Sequence, residues 1–141
     1  MLHDRGEEYF IKTATGDLTP VSSFSLGLYN EATDTLVDAD DLSAITTEPA
    51  GSAYARQSIA LPADLTISQV SGDWQFELGG VSFDTSDSSQ SVDSYFLVAN
   101  YQGDGDGSAT DHLIASGSLD QTYDFGSVDT FNHNSGGISL T

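Results

Sequence analysis

The chain is divided into short apolar runs by turn residues, and this spacing limits the folds that it can adopt. Apolar and polar residues alternate at 24–28 and at 74–78, which is the pattern of strands with one buried face. Residues 95–99 are apolar on both faces, which is typical of a central strand. About eight short strands, with turn signals every ~8–12 residues, predict an all-β, antiparallel β-sandwich of jelly-roll-like arrangement.

Two stretches depart from the alternating pattern. Residues 7–12 are amphipathic, and periodicity alone leaves open a helical turn or an edge strand. Residues 30–51 are polar and irregular, and we expect Leu36, Leu42 and Ile45 to fix them to the body, because empty loops of this length are uncommon. Further strands are expected at 54–61, 65–70, 81–83 and 113–119, with more apolar residues at 123–131 and a short final strand at 138–140.

The length of the chain fits one domain. A sequence of 141 residues can bury a core of its own, and no linker divides it. We therefore expect a single β-sandwich domain over 1–141, with 1–20 as an N-terminal lead-in that docks on a neighbouring subunit. Cysteine is absent, which excludes disulfides and thiolate–zinc frameworks. No run is long enough to span a membrane, and residues 1–8 lack the features of a signal peptide, so we expect assembly in the cytoplasm.

Charge is the strongest compositional signal. The chain has 22 Asp and Glu residues against 3 Lys and Arg, for a net charge of −19. An acidic tail or a chelating protein would cluster its acids, whereas these extend from Asp4 to Asp129 between the apolar runs. Adaptation to molar salt explains the spread better, because the Debye length at about 1 M salt is only ~3 Å. Such a surface also repels nucleic acid and anionic lipid, so we expect neither as a partner.

No catalytic motif is present in the sequence. The three histidines, His3, His112 and His133, could each be combined on paper with a serine and an aspartate, but a triad is defined by geometry. No serine lies in a Gly-x-Ser-x-Gly sequence, and no phosphate loop or dinucleotide fingerprint occurs. We therefore expect a protein that is not an enzyme.

One local cluster could bind a hard cation such as Ca²⁺. Residues 104–111 alternate Asp and Gly before a further Asp, which makes Asp104, Asp106 and Asp111 the candidate ligands. The segment departs from an EF-hand loop, because Ala109 replaces the required Gly and Ala115 replaces the bidentate Glu. A flexible acidic turn is the favoured interpretation, since calcium needs ligands that converge.

A few residues are candidates for contacts between subunits. Arg56 is one of three basic residues, and it could either pair with a carboxylate of its own chain or contact a neighbour. The apolar residues Tyr9, Phe10 and Ile11 near the N-terminus, together with Phe131, are expected to form an oligomer interface.

A further signal lies in the order of several short motifs. Leu-Tyr-Asn at 28–30 precedes an acidic spacer at 33–42 and Tyr-Ala-Arg-Gln at 54–57, and Ser-Tyr-Phe-Leu-Val follows at 94–98. From about residue 6 to residue 119 this order resembles a group of small virion proteins of tailed viruses, in the acidic form carried by viruses of haloarchaea. The resemblance implies a β-sandwich without catalytic residues, located in the virion as a capsid decoration or vertex-turret protein. Its partners would be further copies of itself, as a trimer or pentamer, and the major capsid protein or other virion proteins.

Two other functions remain open at this stage. A tail component, such as an adaptor, tube or baseplate module, would share the fold class and the composition. A carbohydrate- or cell-surface-binding module would need exposed aromatic residues, for which Trp74, Tyr101 and Tyr123 are the candidates. We expect these three to be core residues instead, because Trp74 alternates with Gln75 and Glu77.

Overall fold

The computed structural model describes residues 1–133 and 136–139 as two helices and a set of antiparallel strands. The helices are α1 (Asp4–Thr15) and α2 (Glu31–Asp34). The strands are β1 (Ser23–Tyr29), β2 (Gln57–Ala60), β3 (Leu65–Val70), β4 (Asp73–Leu78), β5 (Val81–Asp84), β6 (Ser91–Tyr101), β7 (Thr110–Asp124), β8 (Thr130–His133) and β9 (Gly136–Ser139). Two 3-10 turns lie at Leu42–Ala44 and Phe125–Ser127.

The strands form three antiparallel sheets. Their orders are β2-β1-β6-β7, β3-β4-β9 and β5-β8. The antiparallel β prediction is therefore confirmed, with two differences in detail. The strand expected at 54–61 begins only at Gln57, and the strand expected at 113–119 is part of the 15-residue β7. The final strand is observed as β9, although residue 140 lies outside the described residues.

Strand β6 lies between β1 and β7, and it is apolar on both faces, as its sequence predicts. Tyr95, Leu97 and Ala99 point into the main core, whereas Phe96 and Val98 point into a second, smaller cluster on the other face of the sheet. Segment 30–51 covers this second cluster. Its apolar residues Leu36, Leu42 and Ile45 pack there, which confirms that they fix the segment to the body.

The N-terminal amphipathic segment is a helix, which settles the choice that periodicity left open. Helix α1 ends at Gly16, whose φ of 79° suits glycine and closes the last turn with hydrogen bonds to the carbonyls of Lys12 and Thr13. The helix packs on β7 so closely that a Cβ added to Gly6 would lie 2.1 Å from the carbonyl oxygen of Ile114. No helix in the part of the chain that the structure describes is long and apolar enough to cross a membrane.

The residues before α1 run along the outer edge of β7. The amide of His3 donates to the carbonyl of Ile114 at 2.9 Å, and the amide of Ser116 donates to the carbonyl of Met1 at 2.8 Å. Leu2 forms an antiparallel bridge with Ala115. The segment therefore satisfies backbone groups that an edge strand otherwise presents to solvent.

Candidate functional site

The candidate cation ligands lie in and after the turn between β6 and β7, but their carboxylates point to different partners. Asp106 accepts hydrogen bonds from the amide of Gly103 at 2.9 Å and contacts Nε2 of His112 at 2.8 Å. The carboxylate of Asp104 accepts from Nζ of Lys12 at 2.7 Å. Asp111 accepts from the side-chain amide of Asn100, also at 2.7 Å. Within residues 1–133 and 136–139, no group of three His, Cys, Asp or Glu residues is arranged to hold a metal ion.

Asp104 and Asp106 instead belong to a cluster that binds α1 to the β6–β7 turn. We call it the helix–turn ion cluster, formed by Arg5, Glu8 and Lys12 of the helix with Asp104 and Asp106 of the turn. Glu8 contacts both cations of the helix, with Nη1 of Arg5 at 2.7 Å and Nζ of Lys12 at 3.1 Å. The cluster therefore uses two of the three Lys and Arg residues of the chain to hold its own helix.

Electrostatics in the helix–turn ion cluster centre on Glu8. Burial raises the pKa of this carboxyl, but hydrogen bonds from Arg5, from the amide of Asp104 and from Lys12 outweigh it and lower the pKa to about 2. Glu8 is therefore ionised at any ordinary pH. The cluster is a structural clamp, since its carboxylates are occupied by cations of the same chain.

The apolar residues proposed for an interface take different places. Tyr9 lies in the main core, where its ring contacts Phe24 and Tyr101, and its hydroxyl accepts a hydrogen bond from the amide of Val21. Phe131 is buried among Phe83, Tyr123 and Phe125. Neither side chain is thus on a surface that a neighbour could contact.

The other two N-terminal candidates lie nearer to solvent. Phe10 is half-buried against Phe76 of β4, with ring centroids 6.1 Å apart. Ile11 is 63% exposed. Most of the lead-in therefore packs on its own chain, while Ile11 and Met1 present apolar side chains to the outside.

Arg56 pairs with a carboxylate of its own chain. Its Nε and Nη2 donate to the two oxygens of Glu48 at 2.8 and 2.7 Å, which is a bidentate arrangement. The guanidinium also lies 5.0 Å from the ring centroid of Phe96. The bidentate contact is the first of the two alternatives that the sequence offered, and Arg56 lies just before β2 and not within a strand.

All three histidines are buried. Nε2 of His3 lies 3.0 Å from Oγ of Ser116, a nucleophile–base distance that the sequence does not reveal, because 113 residues separate the two. Nδ1 of His3 faces the carbonyls of Val37 and Asp38, so the ring donates there and accepts from Ser116. Burial lowers the pKa of His3 and keeps the ring neutral. With both side chains buried, the pair serves to fix the N-terminal segment to β7 and to residues 37–38.

The aromatic candidates for a carbohydrate platform do not share one environment. Tyr101 is buried, and its hydroxyl donates to the carbonyl of Arg5 at 2.6 Å. Tyr123 is half-buried beside a cleft of about 260 Å³ that His133 also lines. Trp74 is 59% exposed, so the expectation that it is a core residue is wrong. Alternation places Trp74 on the same face as Phe76, but the core ends before it reaches Trp74.

Trp74 has an exposed apolar neighbour on the adjacent strand. Ile67 is 68% exposed and Val70 is 49% exposed, and both lie on β3 of the same β3–β4 hairpin. We call Ile67 and Trp74 the hairpin surface, because Val70 pairs with Asp73 and lies on the opposite face of the hairpin. Ile67 pairs with Phe76 in register and Gln69 pairs with Trp74, so Ile67 and Trp74 are diagonal neighbours on one face. A contiguous apolar surface rimmed by polar residues is typical of an interaction site.

The chain was compared with known protein families, with curated proteins and with solved structures. No family model matches it, and neither comparison with individual proteins finds a significant match.

Proposed function

We propose that the protein is a non-enzymatic structural component of the virion of a haloarchaeal tailed virus, acting at the capsid surface as a decoration or vertex-turret protein. In this proposal its antiparallel sheets form a jelly-roll-like sandwich. It contacts further copies of itself, as a trimer or pentamer, and the major capsid protein or other virion proteins. It assembles in the cytoplasm of the host. The observation that carries the proposal is the hairpin surface, an exposed apolar patch on an otherwise acidic body.

The position of the acids supports the halophilic part of the proposal. Among the side chains that the structure describes, no Asp or Glu is buried, so these carboxylates lie where water and cations reach them. At about 1 M salt the repulsion between them is screened beyond ~3 Å. The fold is then stable in brine although its net charge is −19.

The hairpin surface supports the structural part of the proposal. A body with this charge would gain solubility from covering every exposed patch with carboxylates, yet Ile67 and Trp74 remain open. Apolar association also strengthens in concentrated salt, whereas contacts between charges weaken. A virion protein of a halophile would therefore use a surface of this kind to hold its neighbours.

The exposure of Trp74 favours one second candidate, a module that binds carbohydrate or the cell surface. An exposed indole can stack on a sugar ring, and interaction sites are enriched in tryptophan. Tyr101 cannot contribute to such a platform because it is buried. This candidate therefore depends on Trp74 without Tyr101.

The test is the composition of virus particles. Particles from a haloarchaeal host whose virus encodes this chain would be purified in molar KCl, and the copy number of the chain relative to the major capsid protein would be measured by quantitative mass spectrometry. A ratio in the range of whole capsomers or vertices supports the capsid proposal. A low copy number that follows the tail proteins would move the assignment to the tail, and absence from particles would overturn both.

A further inference from the structure

Strand β3 is an edge strand without the features that normally protect an edge. Within the described residues it pairs with β4 on one side and has no partner on the other. Its six residues, Leu65–Val70, contain no charge and no proline, and the ladder with β4 runs through six consecutive pairs without a bulge. Natural sheets usually protect such edges with charges, proline, bulges or a covering segment.

Both edges of the four-stranded sheet are protected. The outer edge of β7 is covered by residues 1–3, whose backbone bonds to Ile114 and Ser116. Strand β2, at the other edge of the same sheet, has four residues, and Asp64 reaches back to accept a hydrogen bond from the amide of Ala60. The bare edge of β3 thus differs from both edges of the four-stranded sheet.

The geometry of the hairpin determines which backbone groups of β3 point outward. Ser71 and Gly72 form its two-residue turn, both with positive φ, at 55° and 98°. In such a hairpin the flanking pair, Val70 and Asp73, is hydrogen-bonded, and bonded pairs then alternate with non-bonded pairs. The amides and carbonyls of Ile67 and Gln69 therefore point away from β4.

We infer that β3 is a self-association edge, on which a second copy of this chain docks through its own β3. Antiparallel pairing about a two-fold axis at Ser68 places Ile67 of each copy opposite Gln69 of the other. Each of these pairs exchanges both of its N–H···O bonds. The two three-stranded sheets become one continuous sheet, and the same patch is used by both copies, as a two-fold contact requires.

Charge identifies a second copy as the occupant. Two molecules of net charge −19 repel each other wherever their carboxylates face one another, and they meet without repulsion only where carboxylates are absent. Residues 65–72 form such a stretch, in a chain with 22 acids. In molar salt the remaining repulsion is screened, so the same conditions that stabilise the fold permit the pairing.

The side chains of the hairpin surface add apolar area to the backbone pairing. The two Ile67 side chains become diagonal neighbours across the new junction, with Trp74 of each copy flanking them on the same face. The exposed part of Trp74 alone amounts to on the order of 150 Å². A contact of one short strand per copy lies at the small end of specific interfaces, so we expect a reversible dimer that depends on concentration.

The test compares variants of the full chain in 3 M KCl. Ile67→Lys replaces an apolar side chain of the hairpin surface with a charge. Thr66→Lys makes the same charge change on the opposite face of β3. Gln69→Pro removes an outward N–H without touching the bonds to β4. Molar mass would be measured by light scattering over a range of protein concentrations, with circular dichroism to verify that each variant is folded.

The inference predicts that the wild-type protein and Thr66→Lys reach twice the molar mass of Ile67→Lys and Gln69→Pro at high concentration. If the folded Ile67→Lys and Gln69→Pro proteins keep the wild-type mass, or if the wild-type protein shows no concentration-dependent doubling, the inference is overturned. The halving is expected for a monomer, and also for a trimer or pentamer whose edges all pair with one partner ring. The result therefore does not depend on the virion proposal, which is tested by the composition of particles.

Discussion

The close contact between α1 and β7 gives a sharp prediction at Gly6. In an exposed helix, replacing glycine with alanine stabilises by about 1 kcal/mol, because alanine loses less backbone entropy. Here the new Cβ would lie 2.1 Å from the carbonyl oxygen of Ile114 and 2.8 Å from Cδ1 of Leu2. Real Cβ atoms essentially never approach closer than 3.0 Å, so the helix must move outward by about 1 Å.

The cost of that movement exceeds the gain in propensity. Overpacking of this kind costs about 1–3 kcal/mol. The movement also weakens the backbone bonds that residues 1–3 make to Ile114 and Ser116, at about 1 kcal/mol each. We therefore expect Gly6→Ala to lower the free energy of unfolding by about 2 kcal/mol, a fall of ~4–8 °C in Tm for a chain of this size.

The assay is urea unfolding in 3 M KCl, followed by circular dichroism, with Gly107→Ala as the matched control. A Cβ at Gly107 has nothing within 4 Å, and its φ is not in the left-handed region, so this change should stay within about 0.5 kcal/mol of the wild type. A Gly6→Ala protein as stable as the control, or more stable than the wild type, would refute the close approach of helix and strand.

Three further outcomes are expected. Transfer from 3 M to 0.1 M KCl lengthens the Debye length to ~10 Å and should loosen the fold, and unchanged circular dichroism would count against salt adaptation. Because the pKa of Glu8 is lowered to about 2, its stabilising contribution is complete above pH ~4.5 and is lost as the pH falls toward 2. Glu8→Gln should therefore reduce the slope of the unfolding free energy against pH in that window by up to one proton, and an unaltered slope would contradict the clamp. Arg56→Lys should lower the unfolding free energy by about 1 kcal/mol, and a double-mutant cycle with Glu48→Gln that shows no coupling would exclude the bidentate pair as its cause.

Strands with strong local patterns could be predicted from the sequence. Residues 24–28 lie within β1 and residues 95–99 within the central β6. Both were predictable because alternating apolar and polar residues indicate a strand with one buried face, and a continuous apolar run indicates a strand with two. The N-terminal helix could not be assigned, since a segment as short as 7–12 fits either periodicity. Its conformation depends on docking against β7, about a hundred residues away along the chain.

The exposed surface and the side-chain pairings were harder to predict for the same reason. Alternation correctly places Trp74 on the face of Phe76, but it does not show where the covering layer ends, and Trp74 is exposed. For Arg56 the sequence offered a carboxylate partner without naming it, and the loop before β2 supplies Glu48. The pairing of His3 with Ser116 had no local signal, because it exists only after the two ends of the fold meet.

The coverage of the β7 edge by the first residues has a consequence for the order of events during synthesis. Residues 1–3 leave the ribosome before their backbone partners, Ile114 to Ser116, which are translated more than a hundred residues later. Helix α1 must therefore wait with Tyr9 unburied until β7 is available, and closing such a long-range contact is slow. The nascent chain is thus expected to complete this part of its fold in a late step, when the earlier segment docks on the later strand.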